Sequence, residues 1–222
     1  MPAPPMTILL DLDGTLVDPA VGIYASYRHA LSRIGLDLDP ADDLRWLIGP
    51  PLRESMGRLG LSPEKAEAAV VHYRARYGET GFAEATVYDG IPAALDDLRA
   101  TGARLILCTS KARVFAERVV ARFGLAARLD GVHGAELDGR FDDKGDLIAH
   151  ILDVERLDPD SVCMVGDRKH DILAAARNGV RAIGVLWGYG DEAELRGAGA
   201  TLIIARPDQL PAACRTVATG AP

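Results

Sequence analysis

The chain has 222 residues, 48% of them hydrophobic, ample apolar material for one large domain or a domain carrying a sizeable insertion. Its 25 Lys and Arg against 32 Asp and Glu give a formal net charge of -7, which argues against general affinity for nucleic acid or for an anionic membrane. Local positive charge remains compatible with an anionic substrate. No apolar run approaches the roughly 18 residues of a membrane span, and "MPAPPMTILLD" has no basic segment or cleavage site ahead of its short apolar stretch, so the expected location is the cytoplasm. The three cysteines, Cys108, Cys163 and Cys214, are scattered. Two of them lie inside apolar strand-like runs, where a free Cys acts as a small core residue, and neither a disulfide framework nor a zinc site is indicated.

Taken along the chain, "TILLD" at 7–11 predicts a first buried strand. The segment 19–84 contains no convincing strand and reads as amphipathic helices, "VGIYASYRHALSRI", "DDLRWLI", "LRESMGRL" and "EKAEAAVVHYRARYGE". From residue 86 onward short apolar runs alternate with amphipathic segments, the pattern of a parallel sheet covered by helices. The runs are "RLILCTS" (104–110), the weaker "DGVHG" (130–134), "SVCMVGD" (161–167), "AIGVLWG" (182–188) and "TLIIA" (201–205), giving about six strands with the first. Pro92 opens one helix, Gly124 closes the "VFAERVVARF" helix and Gly179 the "DILAAARN" helix. The expected fold is therefore α/β, a Rossmann-like parallel sheet core with an inserted all-helical domain. The core takes residues 1–18 and 85–222 and the helical domain residues 19–84. Residues 1–5 and the tail after about 213 read as loose ends. No internal repeat or long linker interrupts this pattern.

Ligands of open parallel sheets bind outside the carboxyl ends of the strands, and three predicted strand ends here are polar in a complementary way. The first supplies Asp11 and Asp13, the second Thr109 and Ser110, and a third supplies Asp167, with Asp171 one helical turn beyond. Two carboxylates at spacing two beside a buried strand repel one another and resist desolvation. Such a cluster is tolerable around a hard divalent cation, and Mg²⁺ favours one or two carboxylates together with water and phosphate oxygens. The hydroxyls at 109 and 110, with nearby backbone N–H groups, suit the oxygens of a phosphoryl group, and Lys144 suits the same site as a point charge. Singly, each of these residues also fits a turn, a loop or a helix cap.

In order and spacing, "DLDGT", "CTSK", Lys144 and "GDRKHD" resemble the four motifs of the haloacid dehalogenase superfamily, and the helices after the first motif resemble its helical cap. The resemblance runs from about Thr7 to Pro207 and is strongest to the phosphoglycolate-phosphatase-like branch. It implies a Mg²⁺-dependent phosphatase acting on a small phosphorylated metabolite: phosphoglycolate-like, a nucleotide or a sugar phosphate. Asp11 would then be the nucleophile that becomes an aspartyl phosphate, and Asp13 the acid that protonates the leaving oxygen and later activates water. Thr109 and Ser110 would bind the phosphoryl oxygens, and Lys144 would offset charge on Asp11 and the phosphate. Mg²⁺ would be held by Asp11, Asp167 and the backbone carbonyl of Asp13, with Asp171 orienting that group through water or Lys144.

Within the helical insertion, "IGPPLRES" offers Arg53 as a contact for an anionic substrate group, against the commoner outcome of a solvated helix-face Arg. Arg45 is a weaker candidate, and Trp187 is expected to pack at a strand end near the active edge. Lys111, Arg168 and His170 flank the motifs and are expected at the surface or in supporting positions. A phosphotyrosine-protein phosphatase and a phosphosugar mutase are alternatives on the same scaffold. Dehalogenation is disfavoured by the acid at position 13, and a catalytically silent module by the intact motifs. Oligomeric state has no signature in the sequence.

Overall fold

In the computed structural model, residues 6–39 and 42–219 are described. Six parallel strands form one sheet in the order β5-β4-β1-β6-β7-β8. They are β1 (Thr7–Leu10), β4 (Arg104–Ala112), β5 (Gly131–Ala135), β6 (Val162–Gly166), β7 (Arg181–Val185) and β8 (Leu202–Ile204). The first strand lies in the interior of the sheet. Thr7 is in register with Arg104 on one side and with Val162 on the other, and all four of its residues are buried.

Side chains alternate across a strand, and β1 divides accordingly. Ile8 and Leu10 enter the core shared with α4 (Ile91–Ala100), α5 (Arg113–Arg122) and α9 (Leu210–Thr219), whereas Leu9 enters the core shared with α6 (Lys144–Val154), α7 (Lys169–Arg177) and α8 (Glu192–Gly197). Both faces of the sheet are therefore covered, which is why its strands are apolar almost throughout. Cys108 and Cys163 are buried in these strands, and Cys214 is buried on α9.

The helical segment leaves and rejoins the sheet domain through a two-stranded antiparallel ribbon, β2 (Val17–Asp18) with β3 (Thr86–Val87). It contains α1 (Ala20–Arg33), α2 (Leu52–Arg58) and α3 (Pro63–Glu79), which bury a third apolar cluster including Ile23, Leu31, Met56 and Val70. Gly22 lets α1 approach the end of this segment. A Cβ there would lie 2.1 Å from the Gly81 carbonyl oxygen.

Two expectations are corrected. "DDLRWLI" does not form an amphipathic helix; only the 3₁₀ turn Arg45–Leu47 forms, with the Asp43 carboxylate accepting from Arg45 N and Gly49 reversing the chain at φ 109° ahead of Pro50 and Pro51. Residues 213–219 of the tail are not loose, because α9 runs through them, and it buries Leu210, Ala213, Cys214 and Val217 on one face. The expected loose end at residues 1–5 falls outside the described residues.

Candidate active site

The carboxyl edge of β1 is tied to β6, since Asp11 N donates to Val165 O at 3.0 Å. Beyond it Gly14, at φ 86°, turns the chain back and donates to Val17 O at 2.8 Å. No other residue fits this turn without displacing the site, because a Cβ on Gly14 would stand 2.2 Å from Asp167 Oδ2. Asp167, at the end of β6, is fully buried. Its Oδ2 accepts from Tyr189 N at 2.8 Å and its Oδ1 accepts from the Thr15 hydroxyl at 3.3 Å.

Each of the two leading carboxylates has its own lysine. Lys144, the first residue of α6, reaches Asp11 Oδ1 at 2.8 Å and also donates to Asp171 Oδ1. The helix start that places it is capped by Asp143, whose carboxylate accepts from Asp146 N at 3.0 Å. Asp171 is fixed from the other side by Arg168 N, which donates to its Oδ2 at 3.0 Å. Lys111 donates to Asp13 Oδ2 and lies 4.5 Å from the centroid of the Tyr77 ring on α3. Asp13 Oδ1 is buried and has no partner among the described residues.

These charges reshape one another. Burial pushes the Asp13 carboxyl up, more than Lys111 draws it down. Burial would lower both lysines, but Asp13 holds Lys111 above its ordinary value, and Asp11 with Asp171 does the same for Lys144. Asp167 is raised by burial, then by repulsion from Asp171 and Asp11. Four buried carboxylates face two buried ammonium groups, leaving an excess of negative charge in a region of low dielectric. Asp11, Asp167 and Asp171 each offer an oxygen, all within 4.8 Å of one another. An all-oxygen donor set with that surplus fits a hard divalent cation such as Mg²⁺.

Asp11, Asp13, Thr109 and Ser110 line one cavity of about 740 Å³, counting its open mouth, between the sheet edge and the helical segment. One wall is aromatic. Tyr27 meets Tyr73 edge-on at 4.9 Å, Tyr73 stacks on Tyr77 at 5.6 Å, and Tyr77 meets Phe115 of α5 edge-on at 5.5 Å. Arg53 and Arg74 stand at the same cavity.

The structure thus brings Asp11, Asp13, Thr109, Ser110, Lys144, Asp167 and Asp171 to one edge of the sheet. The Asp13 carboxylate is not among the converging oxygens, being turned to Lys111, whereas that of Asp171 is. Arg53 is already engaged, donating to Glu67 Oε1 at 2.7 Å, to Asp142 Oδ2 at 3.4 Å and to Leu137 O at 3.2 Å. Of the surface or supporting positions expected for Lys111 and Arg168, the structure gives each the supporting one. The Lys111 side chain is 7% exposed between Asp13 and Tyr77, and buried Arg168 crosses to the helical segment, donating to Ile48 O and to Glu194 Oε1. Tyr189 and Thr15, which hold Asp167, carry no sequence signal of that role. Trp187 packs at the sheet end as expected, its indole donating to Thr15 O at 3.0 Å.

The chain matches the haloacid dehalogenase-like hydrolase family over residues 8–185. A 5'-nucleotidase of Pseudomonas aeruginosa is 45% identical over 190 residues, 85% of this chain and 86% of that protein. The tyrosine-protein kinase PtkA of Mycobacterium tuberculosis is 43% identical over 186 residues, which cover 84% of this chain and 64% of PtkA, so the chain spans less than two thirds of that relative. A predicted phosphatase from Clostridium acetobutylicum shares the fold with a TM-score of 0.90 at 35% identity, covering 94% of this chain and 97% of that one.

Proposed function

The chain belongs to the haloacid dehalogenase-like hydrolase family, and on that premise we propose that it is a Mg²⁺-dependent phosphatase that hydrolyses a small phosphomonoester through an aspartyl phosphate on Asp11. The observation that carries this reading is the separate pairing of two neighbouring carboxylates, Asp11 with Lys144 and Asp13 with Lys111, at the floor of one cavity. Adjacent acids held by different partners suit opposite protonation states, which a nucleophile and a general acid need at the same moment.

In the first step an Asp11 carboxylate oxygen attacks phosphorus while the bond from phosphorus to the leaving oxygen breaks, and protonated Asp13 gives that oxygen its proton. In the second step Asp13, now ionised, takes a proton from water as the water attacks the aspartyl phosphate. Inorganic phosphate leaves and Asp11 is restored. Thr109 and Ser110 orient the phosphoryl oxygens, and Lys144 pairs with Asp11 and offsets charge on the transferring group. Asp11, Asp167 and the backbone of Asp13 would hold Mg²⁺, with Asp171 anchored beside them by Lys144; the bound ion would supply positive charge against the phosphoryl oxygens. Residues 19–84 act as a cap domain that closes the cavity from water, over a core of residues 1–18 and 85–222.

Hydrolysis is favoured over the transfer implied by the name PtkA because the 5'-nucleotidase is matched over 86% of its length and a predicted phosphatase shares the fold at a TM-score of 0.90. The test is a panel of phosphorylated metabolites headed by nucleoside monophosphates, assayed for released phosphate with and without Mg²⁺. Release that requires Mg²⁺ and vanishes in Asp11→Asn is the expected result. Phosphate release undiminished in that variant would remove the mechanism, and isomerised phosphosugar without phosphate would replace it with mutase chemistry.

A further inference from the structure

Two arginines of the helical segment converge on one backbone oxygen. Arg53 Nη2 donates to Leu137 O at 3.2 Å, and Arg74 Nη1 donates to the same carbonyl at 2.9 Å. Holding two guanidinium groups together costs Coulomb energy unless anions lie between or beside them. For Arg53 they do, in Glu67 at 2.7 Å and Asp142 at 3.4 Å. Arg74 makes no ion pair with a carboxylate among the described residues, and its one hydrogen bond goes to Leu137 O. Burial and then Arg53 push its pKa down, and Asp142 and Glu67 do not make up the difference. A guanidinium has five N–H donors in a planar fork, so most of this one remains available.

Position supplies the rest. A partly exposed Arg ordinarily turns its charge to water. Arg74 instead lines the same cavity as Asp11, Asp13 and Thr109, on the helix that carries Tyr73 and Tyr77. An anion reaching it from the reacting centre would meet a cation with free donors that makes no ion pair of its own, although Asp142 stands at the same cavity. Arg53, by contrast, braces the Leu137–Asp142 stretch that helps to hold Arg74 in place.

We propose that Arg74 is a specificity-determining residue that receives a second anionic group, a carboxylate or a second phosphate, on the leaving group of the substrate. This inference rests on the phosphatase reading. It moves the anion contact expected of Arg53 to a residue one helix further along. Substrates would then span the cavity, with the phosphoryl group at Asp11 and the second anion at Arg74.

The test compares kcat/KM within matched pairs: 2-phosphoglycolate against ethyl phosphate for a carboxylate, and propane-1,3-diol bisphosphate against propyl phosphate for a second phosphate. 4-Nitrophenyl phosphate serves as the uncharged control. Wild type is expected to favour the charged member of at least one pair by about tenfold or more, the size of a charge-assisted hydrogen bond. Arg74→Ala should bring that ratio to within about twofold of unity while leaving the aryl phosphate within about twofold of wild type, and Arg74→Lys should restore part of it. The pair that responds identifies the anion. Absence of preference in wild type, or equal losses on charged and uncharged esters in a folded Arg74→Ala, would overturn the inference and leave the phosphatase reading standing. If Arg74→Ala does not fold, the wild-type ratios and Arg74→Lys decide the question. Failure of wild type to turn over any ester, the aryl phosphate included, would instead remove the phosphatase reading, and this inference with it.

Discussion

The floor and the wall of the cavity are built on different principles. On the floor each lysine is held by a carboxylate contributed from elsewhere in the chain, Lys144 by Asp11 and Asp171, and Lys111 by Asp13. On the wall, stacked tyrosines supply shape and a half-exposed arginine pair supplies charge, with donors to spare on Arg74. Interlocked buried charges cannot shift one at a time without leaving a partner unpaired, whereas aromatic packing tolerates adjustment. The contrast suits a division of labour in which the floor performs one reaction and the wall selects what undergoes it.

The sharpest way to break this contrast is chemical. Asp11→Asn, isosteric with the native side chain, is expected to lower kcat by on the order of 10³-fold or more with an unchanged circular dichroism spectrum. Mass spectrometry of rapidly quenched wild type should find a phosphoryl adduct on Asp11, and an adduct elsewhere would reassign the nucleophile. Metal removal should be nearly as severe. EDTA should abolish turnover and Mg²⁺ restore it, while Ca²⁺ should not, because its longer and more numerous bonds could engage both oxygens of Asp11. A readout independent of activity is thermal: Mg²⁺ should raise the Tm of wild type but not that of Asp167→Asn.

Stability separates floor from wall more finely. Lys144→Met leaves Asp11 and Asp171 buried without their cation and should cost about 3–5 kcal/mol in urea denaturation. Arg53→Met breaks a pair whose arginine side chain is 29% exposed and should cost about 0–1 kcal/mol. Equal losses in the two variants would mean that the wall is as tightly locked as the floor.

The smallest expected effect is on pH. Burial pushes the imidazoles of His133 and His170 below the ordinary value of 6.5, so as pH falls the unfolded chain takes up their protons first. Their contribution is therefore nil above that value and becomes destabilising as pH falls through it. The buried carboxylates Asp167 and Asp171 act in the opposite sense, since their raised pKa values favour the folded state at lower pH. The difference between wild type and His133→Gln/His170→Gln in denaturation midpoint, followed from pH 7.5 to about 5.5, isolates the histidine part. A difference that does not change with pH would show that neither ring's environment disfavours its charge.

What could be read in advance follows the same boundary. Sheet strands announce themselves because burial on both faces demands unbroken apolar runs; five of the six match their runs to within two residues, and β7 ends three residues before the run "AIGVLWG" does. The floor residues were legible because spacing along a strand end carries them to one edge. Lys111 was not, because what buries it is a carboxylate from the neighbouring strand end and a tyrosine ring from the helical segment, neither of which has a local signature. The same holds for Arg168, whose acceptor is the backbone of Ile48. Arg74 is ordinary as a letter in "HYRARYGE" and stands out only once Arg53 is seen beside it holding Glu67 and Asp142, with no ion pair left to Arg74. The tail helix carries a local signal, since Leu210, Ala213, Cys214 and Val217 follow the helical repeat, but its Ala and Pro content reads as a loose end.

The interior position of β1 has a consequence for how the chain comes to exist. Its apolar residues are made well before their partners, since Thr7 is in register with Arg104 and Val162, both much later in the order of synthesis. After β1 the helical segment emerges next and carries its own apolar cluster, while β1 must wait, unpaired and sticky, until β4 and β6 have emerged. A nascent chain stalled before Arg104 would thus present an orphan apolar strand ahead of the helical segment, the species on which chaperone demand and aggregation should concentrate.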